Sequence, residues 1–152
     1  MSEPVTFTSA TARHALPFLF AGQAQRELFV NQGLANIDLL LHPSVIGERS
    51  APPQAPQRGD CWIVGSGASG AWAGKELAIS CWDGDQWLFA NPVQGMLAYD
   101  ATRAAQIRFN GEWRRLARPT NPTGGTTIDT EARATIATVL HILDQFGVFS
   151  AD

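Results

Sequence analysis

The sequence predicts an α+β fold: an N-terminal helix packed on a small antiparallel β-domain of about six strands, followed by a C-terminal oligomerisation helix. Three observations carry this. Apolar residues recur at helical spacing near both ends of the chain, the period shortens to two between about residues 61 and 116, and proline- and glycine-rich stretches separate these regions. The expected organisation is an irregular arm over 1–21, a helix plus β-domain over 22–117, a linker over 118–128 and a helix over 129–147.

The arm contains Pro4 and Pro17, which break regular structure. From Gly22 to about Leu41, GQAQRELFVNQGLANIDLLL places Val30, Leu34, Ile37 and Leu41 at i, i+4, i+7 and i+11. This is the spacing of one buried stripe. Gln25, Gln32 and Asn36 form an amide ridge suited to attachment or subunit contacts, and Pro43 ends the run. The connector SAPPQAPQRGD, 50–60, is expected to be extended and unfit for a central strand.

Strands are expected near 61–64, 77–82, 86–90, 96–100, 105–108 and 113–116. The clearest turns are WDGD at 82–85 and FNGE at 109–112, where Asp-Gly and Asn-Gly suit positive φ. Three-residue loops would set Ile79 opposite Trp87, Leu77 opposite Phe89, Ile107 opposite Trp113 and Arg108 opposite Glu112. Apolar and opposite-charge pairs of this kind contribute roughly 0.2–1 kcal/mol each. That register puts Trp82 and Phe109 at the first loop positions. After the flexible RPTNPTGGTT, the terminal DTEARATIATVLHILDQFG carries Ala132, Ile136, Val139, Leu143 and Phe146 at steps of 4, 3, 4 and 3, a heptad seam. Asp129 or Thr130 can cap its start and Gly147 its end. The seam is short, so the helix either docks on its own domain or bundles with copies of itself; a narrow stripe after a linker favours bundling.

Composition excludes several function classes. The chain of 152 residues carries 11 basic and 14 acidic side chains, a net charge of -3, and Lys75 is its only lysine. Nucleic-acid binding needs clustered cations, so RRLAR at 114–118 is expected to be a solvated strand end. No apolar run approaches the roughly 18 residues that span a bilayer, and the first residues show no signal-peptide pattern, so synthesis in a bacterial cytoplasm without membrane insertion is expected. Cys61 and Cys81 cannot form a disulfide framework; two buried thiols are favoured, with their pairing left open. His14, His42 and His141 stand at no metal-ligand spacing, so neither metal nor cofactor is expected.

GSGASG at 65–70 has the spacing of a dinucleotide loop, but a strand pattern follows where a helix is required. Asp83 and Asp85 flank a tight turn, and a glycosidase would need two carboxylates facing each other across a cleft. Trp72 in the glycine-rich loop and Trp82 at a hairpin are candidate exposed platforms for a sugar face or a protein partner. Asp83, Asp85, Phe109 and Asn110 lie beside them in sequence or at the neighbouring hairpin.

The stretches LPFLFAGQAQRELFVNQGLANIDLLL, SAPPQAPQRGDCWIVGSGASGAWAG and CWDGDQWLFANPVQGMLAYD resemble an uncharacterised domain family of phages, prophages and gene transfer agents. The terminal helix resembles one that closes phage fibre and head-spike proteins. These resemblances imply a non-enzymatic virion protein: a homotrimeric tail-fibre or spike component, located on the particle, with other virion proteins and host surface glycan as partners. A glycan or cell-wall hydrolase is the alternative from a different class, and an assembly chaperone absent from the mature particle is a third.

Overall fold

In the computed structural model, which describes residues 9–20, 22 and 26–149, the elements run α1 (Arg26–Leu40), β1 (Ser44–Val45), β2 (Glu48–Arg49), β3 (Cys61–Val64), β4 (Ile79–Trp82), β5 (Trp87–Ala90), β6 (Leu97–Asp100), β7 (Ala105–Phe109), β8 (Trp113–Arg114) and α2 (Thr130–Gln145). The fold is α+β, and the chain divides after Pro92 into two units.

The first unit contains a sheet of order β2-β3-β4-β5, with β2 parallel to β3 and the other pairs antiparallel. β3 is buried along its whole length, as CWIV allows. α1 packs against β5, but with a different face from the expected one. Its buried positions are Asp38 and Leu39, with Asn31 and Ala35 half-buried beside them, so the covered side does not follow the apolar stripe. Val30, Ile37 and Leu41 are 44%, 52% and 41% exposed instead, and Leu34 is only partly covered.

The reason is polar. Asp38 is buried and accepts from Thr11 Oγ1 at 2.8 Å, Arg13 N at 2.8 Å and His14 N at 2.7 Å, with His14 Nδ1 at 3.2 Å. Asn31 clamps the arm by accepting from Leu19 N at 2.8 Å and donating to Leu19 O at 3.0 Å. The Arg13 guanidinium then donates to the carbonyls of Asp38, Leu39, Leu41 and His42, the otherwise unpaired acceptors at the end of α1. Backbone donors of the arm thus choose the face of the helix, and apolar spacing does not.

Both hairpins also differ from the expected register. The pairs are Trp82↔Trp87, Cys81↔Leu88 and Ser80↔Phe89 in the first, and Phe109↔Trp113 and Arg108↔Arg114 in the second. Trp82 and Phe109 are therefore the last strand residues and not the first loop residues. In the first hairpin Asp83 Oδ1 accepts from Asp85 N and Gln86 N, both at 2.8 Å, making a four-residue loop. In the second, Asn110 N bonds Glu112 O across a three-residue loop with Gly111 at φ +79°. Ring contacts reinforce both registers: Trp82–Trp87 at 5.1 Å and Phe109–Trp113 at 5.4 Å.

The second unit is the antiparallel meander β6-β7-β8 with α2. Its inner face holds Ala98, Ala105, Ile107 and Trp113. Asp100 is fully buried there and meets Arg103 Nη1 at 3.3 Å and Arg115 Nε at 3.2 Å. RRLAR thus serves internal pairing as well as solvent, since Arg118 Nε also bonds Asp144 of α2 at 2.8 Å.

Asp129 caps α2, accepting from Ala132 N at 2.8 Å. At the other end Gly147 N bonds Asp144 O and Val148 N bonds Leu143 O, the Schellman arrangement. Gly147 O then accepts from Gln106 N at 2.6 Å, which ties the helix end to β7. Gly147 has φ +64°, and a Cβ there would stand 3.1 Å from Ala104 O. Gly147→Ala should therefore cost about 1–2 kcal/mol from the left-handed backbone alone. Urea denaturation checks this; a loss below about 0.5 kcal/mol would mean the helix end is not anchored as described.

Candidate functional site

The glycine-rich stretch forms a folded loop that buries a tryptophan. Ser69 N bonds Ser50 O at 2.9 Å, and Gly70, at φ +61°, lets the backbone turn against Pro52, which a Cβ would meet at 3.6 Å. A 3-10 turn, Gly70–Trp72, then drives the Trp72 indole inward. Trp72 is fully buried, with ring centroids 5.1 Å from Trp87 and 6.2 Å from Trp62. It is core and cannot serve as an exposed platform, which corrects the reading of its loop position. The proline-rich connector supplies the wall that closes the loop, a long-range contact no local pattern marks.

Trp82 is half-buried on Trp87, and its strand ends at the rim of a cavity of about 170 Å³ lined in part by Asp38, Arg58, Cys81, Asp83 and Asp85. Three carboxylates thus come together that sequence separation hides. They are not equivalent. Burial opposes ionisation of Asp38, but the donors from Thr11, Arg13 and His14 outweigh it and hold the carboxyl below its ordinary value of 3.8. Asp83 is occupied as a turn acceptor, and its carbonyl accepts from Arg58 Nε at 3.0 Å. Asp85 is exposed, and its carboxylate has no partner among the described residues.

Cys81 also borders this cavity. It lies directly opposite Cys61, with the sulfurs 2.7 Å apart; both thiols are free and buried. The neighbouring Cys61 thiol, with burial, pushes Cys81 far above the ordinary thiol range, so it is not an activated nucleophile.

The other expected residues are dispersed. Phe109 is half-buried on Trp113, and Asn110 Oδ1 accepts from Gln94 Nε2. Gln32 Nε2 donates to Asn36 Oδ1 at 3.1 Å on the exposed side of α1, so two members of the amide ridge pair with each other; Gln25 lies outside the described residues.

Two helix surfaces remain apolar and open. On α1 these are Leu28, Phe29, Val30, Ile37 and Leu40, with Phe29 83% exposed. On α2 the heptad seam faces solvent through Ile136, Val139 and Phe146, with Ala132 exposed and Leu143 half-buried, while Leu140 turns inward. No helix among the described residues is long and apolar enough to cross a membrane.

Residues 30–114 match the model of a family described as a protein of unknown function, DUF2793. The chain belongs to this family. The matched span begins within α1 and ends with β8, so it takes in the arm-facing helix, the glycine loop and both hairpins, and leaves out α2. No curated protein matches the chain.

Two outcomes follow from this geometry. Trp72→Ala should cost about 3–5 kcal/mol, the usual loss for a large core aromatic, and a loss under 1 kcal/mol in a urea titration would place this ring outside the core. Because the folded-state pKa of Asp38 is lowered, its charge stabilises the fold above about pH 4, and this contribution fades as pH falls through the folded value. Asp38→Asn should be less stable at pH 7 and lose less further stability between pH 5 and pH 3 than wild type. Parallel stability–pH curves would contradict the Asp38 assignment.

Proposed function

We propose that this DUF2793 protein is a non-enzymatic structural subunit of a phage or gene-transfer-agent particle, assembling as a homotrimer through α2 and meeting host surface glycan. The observation that carries the reading is the open seam of α2. The helix is capped by its own residues at both ends and tied to β7, yet Ile136, Val139 and Phe146 are left 44%, 49% and 72% exposed. A helix docked for its own unit's sake would turn this stripe inward.

The spacing favours copies of the same helix as the cover, because a 4-3-4-3 stripe is complementary to itself. Written as heptads, Ile136 and Leu143 take a positions and Val139 a d position. β-branched residues at both positions, and leucine at a, move the preference away from two strands towards three or four, and the resemblance to the trimerising helix of phage fibres favours three. The open face of α1 supplies a separate surface for attachment to another virion protein, and Gln32 and Asn36 border it. The family resemblance of the AGQAQRE stretch and the glycine-rich stretch supports the particle setting. The loss of Trp72 from the surface moves any glycan contact away from the glycine loop.

Light scattering on the full chain and on Val139→Asp tests assembly without cutting the helix from β7. The wild type should give three times the 16.4 kDa chain mass at tens of micromolar, and the variant a monomer with unchanged circular dichroism. A wild-type monomer under these conditions would overturn the trimer, and with it the support for a fibre or spike.

A further inference from the structure

The register of the second unit creates a feature that none of the preceding sites uses. Leu97 pairs with Arg108, and Arg108 with Arg114, so the three side chains form one row across the outer face of β6-β7-β8. Two arginines directly opposite each other are an unfavourable cross-strand pair. Arg114 is compensated by Glu112. Arg108 has no acidic partner among the described residues, although the expected register would have given it Glu112.

Beside this row runs an open groove of about 380 Å³ within the second unit. Leu97, Leu116 and Val148 form its apolar walls; Gln106 and the two arginines supply its donors. Val148 is placed there by the turn at Gly147 that anchors α2 to β7. The volume lies within the usual range for small-ligand sites, and both guanidinium groups stand on exposed positions of regular strands.

We propose that this groove binds a carboxylate-bearing saccharide, a uronate unit of an acidic polysaccharide. A guanidinium offers paired N–H donors that match a carboxylate, and a second cation one strand away strengthens its hold on that charge. The leucine and valine walls suit the C–H face of a sugar ring, and the Gln106 amide suits a hydroxyl. An open, shallow groove lets a polymer pass, whereas a fatty acid would need a closed apolar tunnel. A nucleic-acid backbone would need more than this one pair of cations in a chain of net charge -3. The proposal deepens the glycan part of the function given above and rests on that part for the class of partner; it does not require the trimer.

The test is calorimetric titration of the full-length protein with trigalacturonate and with the neutral galactose trisaccharide, alongside amide chemical shifts. Trigalacturonate should move the amides of Gln106, Arg108 and Arg114 and bind at least tenfold tighter than the neutral sugar. Arg108→Gln should weaken it at least tenfold, while Arg49→Gln, which removes the same charge from β2 of the first unit, should not. Equal weakening by Arg49→Gln would overturn the groove, because net charge alone would then explain binding. Binding of either sugar with shifts confined to residues 82–87 would overturn the groove while leaving glycan contact in place. No binding of either sugar at millimolar concentration would overturn the groove, and failure to retain any host envelope polysaccharide in a parallel pull-down would remove glycan contact as well.

Discussion

A carboxylate withdrawn from water must be met by donors, and both units of this protein are organised around one such group. Asp38 collects the hydroxyl and backbone N–H groups of residues 11–14, and Arg13, held in the same knot, closes the end of α1. Asp100 gathers the turn after β6 and the arginine after β8. Removing either partner would leave the other group buried and unmatched, so these contacts constrain geometry more strongly than the surrounding apolar residues do. Much of what the surface offers follows from them. Because Asp38 faces inward, Val30, Ile37 and Leu41 face outward, and α1 becomes a helix with an apolar side left over.

The glycine stretch shows the complementary effect in the apolar core. Its backbone freedom is used to fold a loop tightly enough to bring Trp72 against both Trp62 and Trp87, which also touch each other. The edge-on Trp72–Trp87 pair contributes about 0.5–1.5 kcal/mol beyond area burial, which gives a small sheet a firm centre. The functional consequence is that the glycine loop offers no aromatic platform, so the surfaces proposed for recognition are the helix faces and the outer face of β6-β7-β8.

The types and approximate limits of both helices and of β3 to β8 were legible because they depend on local pattern, whereas the two-residue β1 and β2 were not. The alternation in AQIRF, the Asn-Gly and Asp-Gly turns, and the Asp129 and Gly147 caps each act within a few residues. Register was not legible, since it was decided by the Asp83 carboxylate bonding two amides in the first hairpin and by the Phe109–Trp113 ring pair in the second. The facing of α1 was hidden for a stronger reason: the donors that rotate it lie 24 to 27 residues away in sequence. The lone acid in NIDLLL was the available signal, because an ionised group within an apolar helix end demands partners. Trp72 was misplaced because a loop position suggests exposure, and only the packing of Pro52 on Gly70 reverses that.

The central claim is that α2 forms by its own caps but is completed only by other copies of the chain. Amide hydrogen exchange followed at two protein concentrations, one on each side of the assembly transition, tests this most directly. The amides of Ile136 to Leu143 should become more protected at the higher concentration, while those of β3 and β4 stay unchanged. Protection of α2 that is already maximal, and identical at both concentrations, would contradict the claim and assign the exposed seam to a helix that stands alone.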